Sequence, residues 1–187
     1  DQFIPVLEKN GYVIDVDNFI WNKVCACIKM MEDKGIEPVP ISVNVSRMHV
    51  YQEKFTENLK NMAGEYGIDP KYIPLEITES AFTKEEGSLF KKVQSLQGYG
   101  FKFSMDDFGS GYSSLGMLKS ERVDEVKIDK TFVDDIATDK GKVLLGNVIR
   151  MINELGIDMI AEGVETKEQA DFLKENGCMY AQGYYYY

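Results

Sequence analysis

Histidine is nearly absent from this sequence: His49 is the only one. Its scarcity removes most of the ground for zinc chemistry and for a Ser-His-Asp triad, and leaves hard oxygen ligands for any metal. His49 itself reads as a polar loop residue. The three cysteines, Cys25, Cys27 and Cys178, are odd in number and lack Cys-x-x-Cys spacing. Neither a disulfide framework nor a zinc site is indicated, and a reducing cytoplasm is the expected setting. No stretch approaches the roughly 20 apolar residues of a membrane-spanning helix, and the start, Asp1-Gln2-Phe3-Ile4-Pro5, lacks the basic beginning and apolar centre of a signal peptide. Positive charge is in deficit, with 21 Lys and Arg against 31 Asp and Glu. A formal charge of −10 opposes binding to a DNA or RNA polymer, although bound metal still allows an acidic protein to hold a phosphate.

What is present fits one soluble domain over residues 1–187, with 44% hydrophobic and 28% charged residues. Residues 17–33 carry Phe19, Ile20, Val24, Ala26, Cys27, Met30 and Met31 at helical spacing, which places the Met and Cys side chains in the core. An alternating strand follows over 41–46, then a helix over 55–66 ended by Gly67, a strand over 73–79 and a helix over 89–96. Beyond the strand that begins at Phe101, the pattern predicts a short helix over 114–118 and a strand over 124–129. Next come a helix over 143–155, a strand over 157–163, a helix over 167–176 capped by Thr166 and Gln169, and a last strand over 179–184.

The polar strand positions Asn44, Glu76, Asp106, Lys127, Glu162 and Gln182 are 32, 30, 21, 35 and 20 residues apart, close to the length of a strand-helix unit. Such alternation implies parallel strands with right-handed crossovers. Each unit puts its polar residue towards the carboxyl end of its strand, where the (β/α)8 TIM-type barrel carries its active site. A doubly wound sheet is the competitor, but it gathers ligands at one switch point rather than on six successive strands. Six strands in 187 residues fall short of that barrel, so about two N-terminal elements are expected upstream.

The chemistry is expected around residues 101–114. Phe101, Phe103 and Met105 alternate with Lys102, Ser104 and Asp106, and Asp107 then stands at the turn into a loop of small residues. Two adjacent carboxylates repel unless a cation or a proton lies with them; an ordinary strand end running into a turn accounts for the same residues. Asn44, Glu76, Asp106, Asp107 and Glu162 offer only oxygen, as Mg2+ or Mn2+ prefers, and are enough for two ions acting on a phosphoryl group. Lys127 is placed to orient the attacking water or to neutralise charge on the phosphoryl oxygens.

Phe3-Ile4-Pro5, Ser42-Val43-Asn44-Val45-Ser46, Glu76-Ile77-Thr78-Glu79-Ser80, the run from Asp106 to Ser114, Lys127-Ile128-Asp129, the run from Ala161 to Thr166, and Gln182-Gly183-Tyr184 resemble, in order, the motifs of the EAL-domain cyclic di-GMP phosphodiesterases. The resemblance implies a barrel, two Mg2+ or Mn2+ ions, and hydrolysis of cyclic di-GMP to linear pGpG in bacterial signalling. By it, Asn44, Glu76 and Asp106 bind the first metal, Asp106, Asp107 and Glu162 serve the second, and Lys127 contacts the nucleophilic water. Glu165 and Gln182 support the site and the substrate. Glu79 tethers the loop over 107–114, which in the family lies near the dimer interface, so a homodimer is expected. An upstream sensor or cyclase domain is expected as well, and so is a cytoplasmic location, whether free or as the cytoplasmic part of a larger, membrane-attached protein.

Two departures from the family pattern set further expectations. The Glu-Ala-Leu segment that names the family, and whose Glu is a metal ligand, belongs upstream of Phe3, and the chain ends in Tyr184-Tyr185-Tyr186-Tyr187 where the family runs on into a closing helix. A fragment of this kind is expected to be poorly stable or weakly active by itself. The tyrosines read either as aromatic strand residues or as rings that stack on a guanine. The alternative function is a catalytically silent EAL module that binds the dinucleotide as a sensor.

Overall fold

The structure, a computed structural model, describes residues 3–83, 86–110, 115–118 and 123–186. Gly111, Tyr112, Ser113 and Ser114 of the expected loop, and Tyr187, lie outside the described residues. Six strands, β1 (Val43–Asn44), β2 (Leu75–Thr78), β3 (Phe103–Phe108), β4 (Glu125–Ile128), β5 (Asp158–Ala161) and β6 (Tyr180–Ala181), are joined in sequence order in one sheet. A doubly wound sheet reverses its strand order at a switch point, whereas this order never reverses, as in a (β/α)8 TIM-type barrel. Among the described residues no helix is long and apolar enough to cross a membrane.

The chain divides into two compact units. The first comprises residues 1–77 and 84–103. It holds α1 (Ile4–Asn10), α2 (Val13–Asp33), β1, α3 (Arg47–Val50), α4 (Phe55–Tyr66), most of β2, and α6 (Glu86–Gln97). Its core is built from Trp21, Cys25, Ile28, Phe55, Leu59, Leu75, Leu96 and Phe101. β1 and β2 pair in parallel, and Leu75 N–H donates to the Lys102 carbonyl. β1 is shorter than the expected 41–46 because Ser46 leaves the ladder to cap α3, its hydroxyl accepting from Met48 N–H. β2 starts late because Pro74 has no N–H to donate, and it stops at Thr78 because Glu79 opens the next helix.

The α2 stripe differs from the expected one. The buried positions are Val13, Asp17, Trp21, Cys25 and Ile28, three or four residues apart, while Phe19 is 62% and Met30 47% exposed. Asp17 hid this face from a search for apolar periodicity. His49 is likewise no loop residue: it lies in α3 and is 2% exposed. All three cysteines are free; burial pushes the Cys25 thiol up to about 11 and raises that of Cys178, which keeps both protonated and unreactive.

The second unit, residues 78–83 and 104–187, contains α5 (Glu79–Thr83), β3 from Ser104 onward, α7 (Leu115–Leu118), β4, α8 (Lys130–Asp134), α9 (Asp139–Glu154), β5, α10 (Lys167–Glu175) and β6. β3 to β6 pair in parallel over a core of Met105, Val126, Ile128, Leu145, Ile149, Ala161 and Leu173. α9 starts earlier than its apolar pattern because Thr138 caps it through Gly141 N–H. The capping box of Thr166 and Gln169 opens α10 as expected. β6 is only two residues long. Tyr184–Tyr186 form a 3-10 turn and are exposed, so the strand reading of these tyrosines fails.

Candidate functional site

Strict alternation would send Asp106 and Asp107 to opposite faces of β3, and a bulge prevents it. Met105 is the partner of Val126 and Phe108 of Ile128, so three steps on β3 match two on β4. The extra residue is absorbed at Asp107, whose φ of 55° is the only positive value for a non-glycine among the described residues. Bulges re-aim side chains in this way. One oxygen each from Asp106, Asp107 and Glu162 consequently lie within 4.8 Å of one another.

Lys127 rises from β4 beside them. It is buried to 7% exposure, with Nζ 2.6 Å from Glu162 Oε1 and 3.4 Å from Asp106 Oδ1. Glu162 follows β5 directly, its N–H donating to the Ile128 carbonyl, and Gln182 Nε2 donates to Glu162 Oε1 at 2.6 Å. Burial raises the Asp107 carboxyl above the usual range, and the negative charges of Asp106, Asp129 and Glu79 add to this against the opposing charge of Lys127. Asp106 Oδ1 is buried with no hydrogen bond among the described residues. An all-carboxylate cluster of this kind suits a hard divalent cation.

The start of the loop is held from two sides. Glu79, 1% exposed at the head of α5, accepts from Gly109 N–H at 3.1 Å. Phe132 of α8 covers Gly109 so closely that an added Cβ would come within 1.7 Å of its ring, and φ of 98° also favours glycine there. Glu165 stands further out, with Oε1 3.0 Å from Lys130 Nζ, while its N–H donates to Gln169 Oε1 at 2.7 Å. A cavity of about 560 Å³ opens beside these groups and is lined by Lys130, Glu162, Glu165, Gln182 and Tyr184, with Gly163 and Gly183. That is the size of a small-ligand site.

In the first unit, Asn44 and Glu76 are direct register partners on β1 and β2. Glu76 is buried and Asn44 exposed. Behind Asn44 lie residues that the sequence did not single out: Trp21 Nε1 donates to the Asn44 carbonyl at 3.0 Å, and Asp17 Oδ2 accepts from Ser46 N–H at 3.1 Å. Lys130 and Phe132 were missed likewise. An aspartate and a tryptophan one turn apart, in line with Cys25 and Ile28 on α2, were the available signal for the first pair; nothing in the local pattern pointed to the second.

The family model for the EAL domain matches residues 1–187. The chain is 34% identical to the signaling protein YkoW of Bacillus subtilis over 99% of its own length and 23% of that protein. It is 30% identical to the bifunctional diguanylate cyclase/cyclic di-GMP phosphodiesterase MucR of Pseudomonas aeruginosa, over 98% of this chain and 27% of MucR. It therefore spans about a quarter of the length of these curated relatives. The solved PaMucR phosphodiesterase in complex with c-di-GMP superposes with a TM-score of 0.91 at 30% identity, covering 98% of this chain and 75% of that one. A manganese and cyclic di-GMP complex of Klebsiella pneumoniae BlrP1 gives 0.78 at 25% identity, covering 91% and 44%. A match from the first residue to the last, on a backbone shared this closely, makes the chain a member of the EAL domain family.

Proposed function

We propose that this domain hydrolyses cyclic di-GMP to linear pGpG with two Mg2+ or Mn2+ ions. The observation that carries the reading is the group of Asp106, Asp107, Lys127 and Glu162 beside a cavity that Glu162, Glu165 and Gln182 also line. Asp106, Asp107 and Glu162 are read as ligands of one ion, and Asn44 and Glu76 as ligands of the other. Such ions, when bound, supply Lewis acidity at the phosphoryl group and make water a better nucleophile.

The chain's own residues do the rest. Lys127 brings a fixed positive charge to the carboxylates, where it orients the attacking water and offsets charge developing on phosphoryl oxygen. Gln182 holds Glu162 in place through its amide N–H. Glu165, set by Gln169 and Lys130, faces the substrate, and Glu79 anchors the loop that begins at Asp107. The exposed Tyr184 offers a face for guanine stacking. The domain works as one module of a longer cytoplasmic signalling protein, joined to a sensor or cyclase domain, and pairs as a homodimer; its share of YkoW and MucR supports the modular part.

Chromatographic separation of cyclic di-GMP and pGpG tests the activity. Turnover with Mg2+ or Mn2+, lost in EDTA and in Lys127→Ala, is the expected result. Undiminished turnover in excess EDTA overturns the metal mechanism. Tight cyclic di-GMP binding in Ca2+ with no turnover in Mg2+ assigns a sensor instead, and a monomer by light scattering removes the dimer.

A further inference from the structure

The N–H groups of Ile41, Val43 and Val45 donate to the carbonyls of Tyr72, Pro74 and Glu76, each at 2.9 Å, and beyond Val45 the chain leaves this ladder as Ser46 turns away to cap α3. The two residues that flank Val45 are also held from α2. Trp21 Nε1 donates to the Asn44 carbonyl at 3.0 Å, and one turn earlier Asp17 Oδ2 accepts from Ser46 N–H at 3.1 Å. The His49 ring lies against Trp21 with centroids 4.4 Å apart and puts Nε2 3.3 Å from Asp17 Oδ2. Phe55 closes the group at 6.3 Å from Trp21 and 5.9 Å from His49. Asp17 is 7% exposed, and Trp21 and His49 are each 2% exposed. A carboxylate and an imidazole are costly to bury, and apolar side chains would fill the same space without that cost. What these polar groups do that leucines could not is fix two backbone atoms, one on Asn44 and one two residues beyond it.

We infer that Asp17 and Trp21, braced by His49, are positioning residues that set the Asn44 side chain for a divalent cation. The inference rests on the reading of Asn44 as a metal ligand. Outer partners of metal ligands typically tune affinity by about 10–100-fold.

Mn2+ affinity, measured in the absence of substrate by calorimetry or by the electron spin resonance of free Mn2+, tests it on the full chain. Trp21→Phe keeps an aromatic ring but deletes the indole N–H along with part of the ring volume; Asp17→Ala deletes the acceptor, and Asp17→Asn restores one. Trp21→Phe and Asp17→Ala are expected to weaken Mn2+ binding about 10-fold, Asp17→Asn less, with turnover recovered at high Mn2+. Ile28→Val, a buried change further along α2, is expected to lower the melting temperature without moving Mn2+ affinity. If Asn44→Ala weakens Mn2+ while Trp21→Phe and Asp17→Ala do not, the two residues are only structural and the inference is overturned. If Asn44→Ala itself leaves Mn2+ binding unchanged, the ligand reading falls and the inference with it.

Discussion

Lys127 Nζ and Glu162 Oε1 stand 2.6 Å apart, with the lysine side chain 9% and the glutamate side chain 18% exposed. This ammonium places a positive charge between the Asp106 and Glu162 carboxylates. Removing one member of a buried ion pair leaves the other uncompensated, at a cost of about 3–5 kcal/mol. Lys127→Met is therefore expected to lose about 3 kcal/mol of stability in EDTA, to recover part of it with Mg2+, and to have no detectable hydrolysis. Urea unfolding with and without Mg2+ measures both; equal losses in the two conditions would show that Lys127 and a cation do not share the carboxylates.

Glu79 and Gly109 make the next prediction. Glu79→Ala leaves the Gly109 N–H without this acceptor, at a cost of about 1–3 kcal/mol, and frees the backbone two residues beyond Asp107. Turnover is expected to fall and half-saturation with Mg2+ to move up, while Glu79→Gln, which retains an acceptor, lies between. Circular dichroism checks that the fold persists. A Mg2+ titration identical to wild type would reduce Glu79 to a structural role.

Gly109 and Phe132 are predicted to be strongly coupled. Gly109→Ala must place a Cβ 1.7 Å from the Phe132 ring and adopt a φ of 98°. The backbone cost alone is about 1–3 kcal/mol. Phe132→Ala should relieve the clash, so the double variant is expected to be more stable than the sum of the single losses by more than about 1 kcal/mol. Additive losses would mean that the ring moves aside freely.

Asp107 predicts a pH dependence. Its carboxyl is raised above the ordinary 3.8, first by burial and then by the charges of Asp106, Asp129 and Glu79. The folded protein thus holds this proton more tightly than the unfolded chain. The stability it contributes is complete below the ordinary value and is lost as pH rises through the raised one. In EDTA, melting temperature over that interval is expected to fall more in wild type than in Asp107→Asn, since asparagine tolerates the left-handed backbone. A cation must displace the same proton, so metal affinity rises with pH there. Parallel melting profiles for the two proteins would refute the assignment.

The order of strands and helices was legible because each helix and strand writes its own period, and Asn44, Glu76, Asp106, Lys127, Glu162 and Gln182 share one parity on successive strands. The family was legible separately, from the resemblance of the ordered motifs. What strict period cannot express is an irregularity. The extra residue in β3 brings Asp107 to the same cluster as Asp106, although alternation separates them, because the ladder to β4 and the hold on Gly109 stabilise a backbone angle that aspartate alone would avoid. The buried face of α2 was misread for a related reason. A hydrophobic count passes over Asp17, yet Asp17 is buried because Ser46, 29 residues away in sequence, supplies its hydrogen-bond donor. Local chemistry determined which residues could serve a site; only partners distant in the chain decided which polar side chains are buried and where the adjacent carboxylates point.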